Sequence, residues 1–288
     1  MKSENEILYL IIEFAKMDSN ILAVSMNGSR VNKQCICDEY SDFDIQYIVK
    51  DISPYIQNKK WMNYFGKVLI VQEPEDWFSH QYNIESKNQY PFLMQFSDGN
   101  RIDLVFVHVD RIDQFNKELE PRKVLLNKNN ELFIKEIAET NSFEINKPFE
   151  KEFLNIVNEF LWLSLYVLKG IKRNEIPYAK TFFDNYEIEL LCKMLSWKIG
   201  ISKGFDISLG KSYKYLSKYL TENEMNEFIF AYSSGIASDI FKKLLYMIDL
   251  FKETAIFVAD KLDYKLDITQ IDNISNYIRD KDLTTAST

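Results

Sequence analysis

Two nearby stretches decide the fold of this chain: NGSR at residues 27–30 and SDFDIQYIV at residues 41–49. The apolar run at residues 21–26 predicts a strand that leads into the Gly28-Ser29 turn, and a second apolar run follows the aspartates. Because side chains alternate along a strand, Asp42 and Asp44 are predicted to point the same way. Two neighbouring carboxylates repel each other, and a divalent cation such as Mg²⁺ would remove that repulsion.

A third carboxylate is predicted to join this pair. Asp103 lies in RIDLVFV at residues 101–107, where an unpaired acid in an apolar strand would be costly. It can be a further metal ligand or a base toward an acceptor hydroxyl. The Gly28-Ser29 turn can offer backbone N–H groups and a hydroxyl to phosphates. Together these features predict a nucleotidyl-transfer site.

The composition excludes several other classes of protein. The chain has 288 residues, 46% of them hydrophobic and 27% charged, with a net charge of −8. This is the composition of a globular protein without a broad basic surface, so we expect no nucleic-acid partner. Three cysteines without metal-binding spacing argue against zinc and favour a cytoplasmic protein. No apolar run reaches the roughly 18 residues of a membrane-spanning helix, so no membrane partner is expected.

The hydrophobic pattern changes character near Pro148. Before it, strands and helices alternate, with a hairpin predicted around Asp-Gly-Asn at residues 98–100. After it, helical periodicity dominates residues 149–172, 182–199 and 237–262. We therefore predict an α+β fold with two domains. Residues 1–148 would hold a mixed β-sheet with flanking helices, and residues 149–288 a helical bundle.

Two lysines in the helical half are candidate phosphate ligands. Lys169 lies near a predicted helix end, where a lysine also stabilises the helix dipole. Lys211 follows Gly210 in a segment that resembles a P-loop, although five residues rather than four separate Gly204 from Gly210. A solvated surface lysine is the alternative at Lys211, and a lysine that only stabilises the helix dipole is the alternative at Lys169.

Several further motifs, in the same order along almost the whole chain, extend the pattern. They are GSRVN at 28–32, DEYSDFDI at 38–45, QEPED at 72–76, RIDL at 101–104, YVLKG at 166–170, LSWKIG at 195–200, GKSYK at 210–214 and NISNYIRD at 273–280. With these motifs the chain resembles the aminoglycoside 6-adenylyltransferases, a streptomycin-modifying branch of the polymerase-beta-like nucleotidyltransferases. Val31 and the Cys35-Ile36-Cys37 loop depart from that family's pattern.

The resemblance implies an enzyme that transfers AMP from ATP to the 6-hydroxyl of streptomycin and releases pyrophosphate. It implies that Asp42 and Asp44 hold Mg²⁺, that Ser29 and Arg30 contact the triphosphate, and that Asp103 completes the carboxylate set. Another small hydroxylated antibiotic is the alternative acceptor, and we expect a monomer.

A polycationic substrate needs an acidic pocket, and aromatic side chains could form its walls. The candidate acids are Glu39, Glu75, Asp76, Asp98, Glu159, Glu175 and Asp184, and the candidate aromatic residues are Trp162, Tyr166 and Tyr178.

Overall fold

The computed structural model describes residues 1–33, 35–76, 88–139 and 143–281. Contacts divide the chain into two compact units, Met1–Thr140 and Asn141–Thr288. The contacts group residues 143–148 with the second unit, whereas the sequence placed them before a border at Pro148. These residues include Glu144, which forms a β-bridge with Ser208, and Ile145, whose N–H donates to the Ile207 carbonyl at 3.0 Å.

The first unit is built around a six-stranded sheet. Its strands are β1 (Ile21–Asn27), β2 (Phe43–Val49), β3 (Val68–Gln72), β4 (Gln89–Phe96), β5 (Arg101–His108) and β6 (Arg122–Asn127). They are arranged in the order β3-β4-β5-β2-β1-β6. Among these described strands β2 and β5 run parallel, and the other neighbours are antiparallel. This confirms the predicted mixed sheet, and β4 and β5 form the predicted hairpin.

One face of the sheet is covered by apolar side chains and helices. Among the α-helices of this unit, α1 (Glu4–Met17) and α2 (Ser53–Gln57) pack on this face, and α3 (Ile112–Phe115) packs on the other. Ile7 and Ile11 of α1 pack with Ile45 and Tyr47 of β2, and all four are fully buried. A capping box of Ser3 and Glu6 starts α1, because each side chain bonds the backbone N–H of the other residue.

The opposite face changes from apolar to polar along each central strand. On β2 the alternate residues are Ile48, Gln46 and Asp44, and Ile48 packs against α3 through Phe115. On β1 the partner of Gln46 is Ser25, whose hydroxyl donates to the Gln46 side chain at 3.2 Å. The apolar end anchors the sheet, and the polar end forms the candidate site.

The second unit is helical. Its described helices are α4 (Glu150–Lys172), α5 (Ile176–Phe182), α6 (Ile188–Lys203), α7 (Leu216–Tyr219), α8 (Glu222–Phe230), α9 (Ala237–Leu262) and α10 (Ile268–Arg279). Phe160 of α4 stacks on Phe251 of α9 with 3.8 Å between ring centroids. The fold class predicted from the sequence, α+β with a helical C-terminal part, is confirmed.

Some element predictions differ from the structure in detail. Strand β2 begins at Phe43, so Asp42 lies just before it. The helix predicted over residues 182–199 is interrupted, because residues 183–187 form a π-turn between α5 and α6. That turn contains Glu187, which is fully buried and bonded to the Ser164 hydroxyl at 3.0 Å. Hydrophobic periodicity does not reveal a one-residue insertion of this kind.

We find no helix in the described part of the chain that is both long and apolar enough to cross a lipid bilayer.

Candidate active site

Three aspartates meet at the polar end of the sheet. Asp44 on β2 pairs directly with Asp103 on the parallel strand β5, and Asp42 precedes β2. Each residue offers one carboxylate oxygen, and these oxygens lie within 4.8 Å of one another. We call Asp42, Asp44 and Asp103 the carboxylate triad. The structure thus brings together the three acids that the sequence singled out.

Burial and neighbouring charge both oppose ionisation of Asp44. Burial is the main cause that raises the pKa of Asp44 to about 7, and the charges of Asp42, Asp103 and Glu120 raise it further. The Arg101 guanidinium acts in the opposite direction. Carboxyl groups whose pKa is raised this far are common in sites that bind a cation or carry out catalysis.

The turn after β1 requires a glycine because Asp44 lies against it. Gly28 has φ +75°, which side-chain-bearing residues rarely adopt, and a Cβ built there would lie 2.0 Å from the Asp44 Oδ2 atom. Gly28 begins a short 3-10 turn of residues 28–30, whose Ser29 carbonyl accepts a hydrogen bond from the Cys37 thiol. The Gly28-Ser29 turn and the triad therefore form one compact arrangement.

Arg30 holds the loop that carries Asp42. Its guanidinium donates to the backbone carbonyls of Asp42 at 2.9 Å and Ser41 at 2.6 Å. It also lies 3.9 Å above the Phe43 ring and pairs with Glu4 at 3.0 Å. The Arg30 side chain is only 7% exposed. These contacts position Asp42, and a contact of Arg30 with the triphosphate stays a prediction.

Arg101 supplies the positive charge beside the triad. Its Nε and Nη2 atoms donate to the two Asp103 oxygens at 2.8 and 2.6 Å, and Nε lies 3.8 Å from Asp42. Residues 101 and 103 share a strand face because side chains alternate. No role was predicted for Arg101 from the sequence, although its i, i+2 spacing from Asp103 was a readable signal.

A fourth acid near the triad was also missed. Glu120 precedes β6 and accepts a hydrogen bond from the Asn27 side-chain amide at 3.2 Å. Asn27 is itself paired with Asp44 across β1 and β2. Nothing in the sequence around Glu120 marks it, because its proximity depends on β6 pairing with β1.

The two candidate lysines belong to the second unit. Lys169 lies on α4, with its ammonium 5.5 Å from the Tyr166 ring centre. Lys211 begins a short 3-10 turn at residues 211–213. Both are exposed, and their contact with a nucleotide stays a prediction.

The other candidate pocket residues are spread over both units. Asp98 and Asp184 form ion pairs with Lys2 and Lys180, at 2.7 and 2.8 Å. The indole N–H of Trp162 donates to the Tyr166 hydroxyl at 3.1 Å. Of the remaining candidates, the first unit contains Glu39, Glu75 and Asp76, and the second unit contains Glu159, Glu175 and Tyr178.

The triad suits a hard divalent cation. Its donors are carboxylate oxygens, which Mg²⁺ prefers, and they lie close enough to share one ion. The raised pKa of Asp44 indicates that the metal-free cluster carries unfavourable charge, which a cation would relieve. The residues present therefore fit the metal that the sequence predicted.

Comparison with known proteins identifies relatives along nearly the whole chain. Residues 1–281 match the family model described as streptomycin adenylyltransferase. An aminoglycoside 6-adenylyltransferase of Staphylococcus aureus is 32% identical over 280 residues, covering 97% of this chain and 98% of the relative. One of Bacillus subtilis (strain 168) is 33% identical over 266 residues, covering 92% and 93%.

A solved structure was also matched. A crystal structure of an aminoglycoside 6-adenyltransferase from Bacillus subtilis is 29% identical, covers 97% of this chain and 98% of its own, and aligns with a TM-score of 0.48.

Proposed function

Because the chain belongs to the streptomycin adenylyltransferase family, whose members are nucleotidyltransferases, we propose that it transfers AMP from Mg²⁺-ATP to the 6-hydroxyl of streptomycin. The observation that carries this proposal is the carboxylate triad, packed directly against the Gly28 turn. We infer a cytoplasmic reaction, in keeping with ATP as donor and with the free cysteines 35, 37 and 192.

The reaction forms one bond and breaks one bond at the α-phosphorus of ATP. The acceptor oxygen attacks this phosphorus, and the bond to the bridging oxygen of pyrophosphate breaks. The pyrophosphate leaves with the electron pair of that bond, and the acceptor hydroxyl loses its proton. Asp42 and Asp44 would hold Mg²⁺, which neutralises charge on the phosphate oxygens when bound.

The remaining residues bind and orient the reactants. The backbone of Gly28 and Ser29 would donate hydrogen bonds to the phosphates, because the first N–H groups of a helical turn lack partners inside it. Arg30 keeps Asp42 in place through the loop carbonyls. Lys169 and Lys211 are proposed as further phosphate ligands.

Two roles are open for Asp103. As a general base it would take the proton of the acceptor hydroxyl, which typically contributes about 10²–10⁴-fold to the rate. As a metal ligand it would complete the triad around Mg²⁺. Its bidentate pairing with Arg101 fixes the carboxylate for either role.

An activity screen tests the proposal. Purified protein is incubated with Mg²⁺, with ATP or GTP, and with a panel of aminoglycosides, and pyrophosphate release is measured. We expect release with ATP and streptomycin, and none when Asp42→Asn replaces the wild-type protein. Release with a different hydroxylated antibiotic alone would support the alternative acceptor. No release with any acceptor would refute the proposed function.

A further inference from the structure

A cavity of about 600 Å³ lies on the sheet of the first unit, beside the carboxylate triad. This volume is within the range of small-molecule sites. Six of the residues that line the cavity come from β3, β4, β5 and the segment after β3: Ile70, Gln72, Glu73, Asp76, Leu93 and Arg101. We call it the sheet cavity.

The strand register connects the sheet cavity to the triad. Gln72 on β3 pairs with Leu93 on β4, Leu93 pairs with Asp103 on β5, and Asp103 pairs with Asp44 on β2. Neighbouring strands are about 4.8 Å apart, so Gln72 is about 10 Å from Asp103 along this row. A ring that carries extended substituents, or two linked rings, spans such a distance.

Arg101 directly connects the sheet cavity with the carboxylate triad. It lines the cavity, and its guanidinium bonds both oxygens of Asp103. A molecule that occupied the cavity would therefore lie against the Arg101–Asp103 pair, next to the position where the transferred phosphorus must come.

The geometry of phosphoryl transfer assigns the cavity an occupant. In an in-line displacement the attacking oxygen and the departing pyrophosphate lie on opposite sides of the phosphorus. The Gly28 turn follows β1, which borders β2 on one side, whereas β5, β4 and β3 continue the sheet on the other. If the phosphates lie at the Gly28 turn, the acceptor approaches from the sheet cavity.

We propose that the sheet cavity binds the acceptor substrate, a cationic and polyhydroxylated ring compound; this inference rests on the proposed function. Ile70 is 67% exposed, and with Leu93 it offers an apolar surface for the C–H face of a ring. Gln72 offers an amide to ring hydroxyl groups.

The charge of the region favours a cation. Glu73 is held in place by Lys59, with Nζ–Oε distances of 2.5 and 2.7 Å, and by the Tyr90 hydroxyl at 3.0 Å. Asp76 adds a second carboxylate to the lining. Together with the triad, these acids outnumber Lys59 and Arg101 within the described part of this region. A guanidinium or ammonium group is therefore attracted to the cavity before it reaches the metal site.

Filling the cavity tests the inference, and the chain offers a matched control. Ile70→Trp places a large ring in the cavity. Leu69→Trp makes the same change at the adjacent residue of β3, which is 69% exposed and is not among the lining residues described. Thermal unfolding of both variants verifies that they fold, as expected for substitutions at exposed positions.

We expect Ile70→Trp to raise the KM of the acceptor by about tenfold or more, equivalent to about 1.4 kcal/mol of lost binding. The KM of Mg²⁺-ATP should stay within about twofold of wild type, and Leu69→Trp should change neither. Calorimetric titration of streptomycin into nucleotide-free protein should show the same selective loss of affinity.

Three results would overturn the inference in distinguishable ways. A raised KM for ATP with an unchanged acceptor KM would assign the cavity to the nucleotide. Equal behaviour of the two tryptophan variants would show that the acceptor binds elsewhere, while the proposed function stands. A wild-type protein that adenylylates no aminoglycoside would remove the proposed function and the inference together.

Discussion

Replacing Asp44 by asparagine should stabilise the metal-free protein while lowering its AMP-transfer activity by at least about 100-fold. In the folded state the pKa of Asp44 is about 7, against 3.8 for the ordinary carboxyl, mainly because of burial and then because of the neighbouring acids. Between these two values the folded state keeps a proton that the unfolded state releases. The free energy of unfolding of the metal-free protein therefore falls as pH rises through this window.

The size of this effect follows from the pKa difference. About three pKa units correspond to roughly 4 kcal/mol at a pH above 7. The asparagine side chain also loses hydration when it is buried. We therefore expect Asp44→Asn to recover about half of this free energy of unfolding, or about 2 kcal/mol. For a unit of this size that change raises the unfolding temperature by about 4–8 °C.

Thermal unfolding in a metal chelator, measured from pH 4 to pH 8, is the assay. The stability difference between Asp44→Asn and wild type should be small near pH 4 and largest above pH 7. Added Mg²⁺ should stabilise the wild type and leave the variant unchanged. AMP transfer by the variant should fall by at least about 100-fold, since metal-ion stabilisation of phosphoryl transfer is worth several kcal/mol.

The control variant is Asp113→Asn, which removes one exposed negative charge of the same unit without relieving the triad. Two results would refute the reasoning. The first is a variant less stable than wild type at pH 8 without metal. The second is a variant that keeps near-normal turnover in saturating Mg²⁺.

Four further predictions follow from the same structure. Gly28→Ala should destabilise the first unit by more than about 1 kcal/mol and impair transfer, because of its positive φ and the contact with Asp44; an unchanged unfolding temperature would contradict this. Asp103→Asn should slow single-turnover transfer with intact calorimetric binding of Mg²⁺-ATP if Asp103 is the base, and should weaken binding as well if it is a ligand; no change in either would make it structural. The KM of streptomycin should rise with salt more than that of ATP, since salt screens the attraction between exposed charges over a length of about 8 Å at physiological ionic strength. Burial raises the pKa of Glu187, so its contribution to stability falls as pH rises above 4.5, and Glu187→Gln should flatten the pH dependence of unfolding of the second unit.

The parts of the fold that depend on local patterns could be predicted from the sequence. Helices Glu4–Met17 and Ala237–Leu262 have a clear apolar periodicity, and the turn at residues 98–100 has a strong hairpin signal. In each case the information lies within a few neighbouring residues. The mixed sheet and the helical second half followed from those elements.

The interior of the candidate site was harder to predict because it depends on strand pairing. Parallel pairing of β2 with β5 brings Asp103 beside Asp44, and antiparallel pairing of β1 with β6 brings Glu120 near both. A single sequence does not state which strands are neighbours. The sequence indicated that the three aspartates belong to one site. It did not indicate that the Arg101 guanidinium binds Asp103.

Arg30 illustrates a second limit. The family resemblance implies that Arg30 contacts the triphosphate, and this stays a prediction. The sequence did not indicate that the Arg30 guanidinium donates to the carbonyls of Ser41 and Asp42. Backbone carbonyl positions in an irregular loop follow from the folded loop itself, so no pattern of residue types indicates them.

Mass spectrometry of one reaction tests the central claim most directly. Wild-type protein is incubated with Mg²⁺-ATP and streptomycin, and in parallel with kanamycin, and the modified position is located by fragmentation. The proposed function predicts an AMP adduct at the 6-hydroxyl of streptomycin, equimolar pyrophosphate and unmodified kanamycin. An AMP adduct on kanamycin with none on streptomycin would contradict the 6-adenylyltransferase assignment.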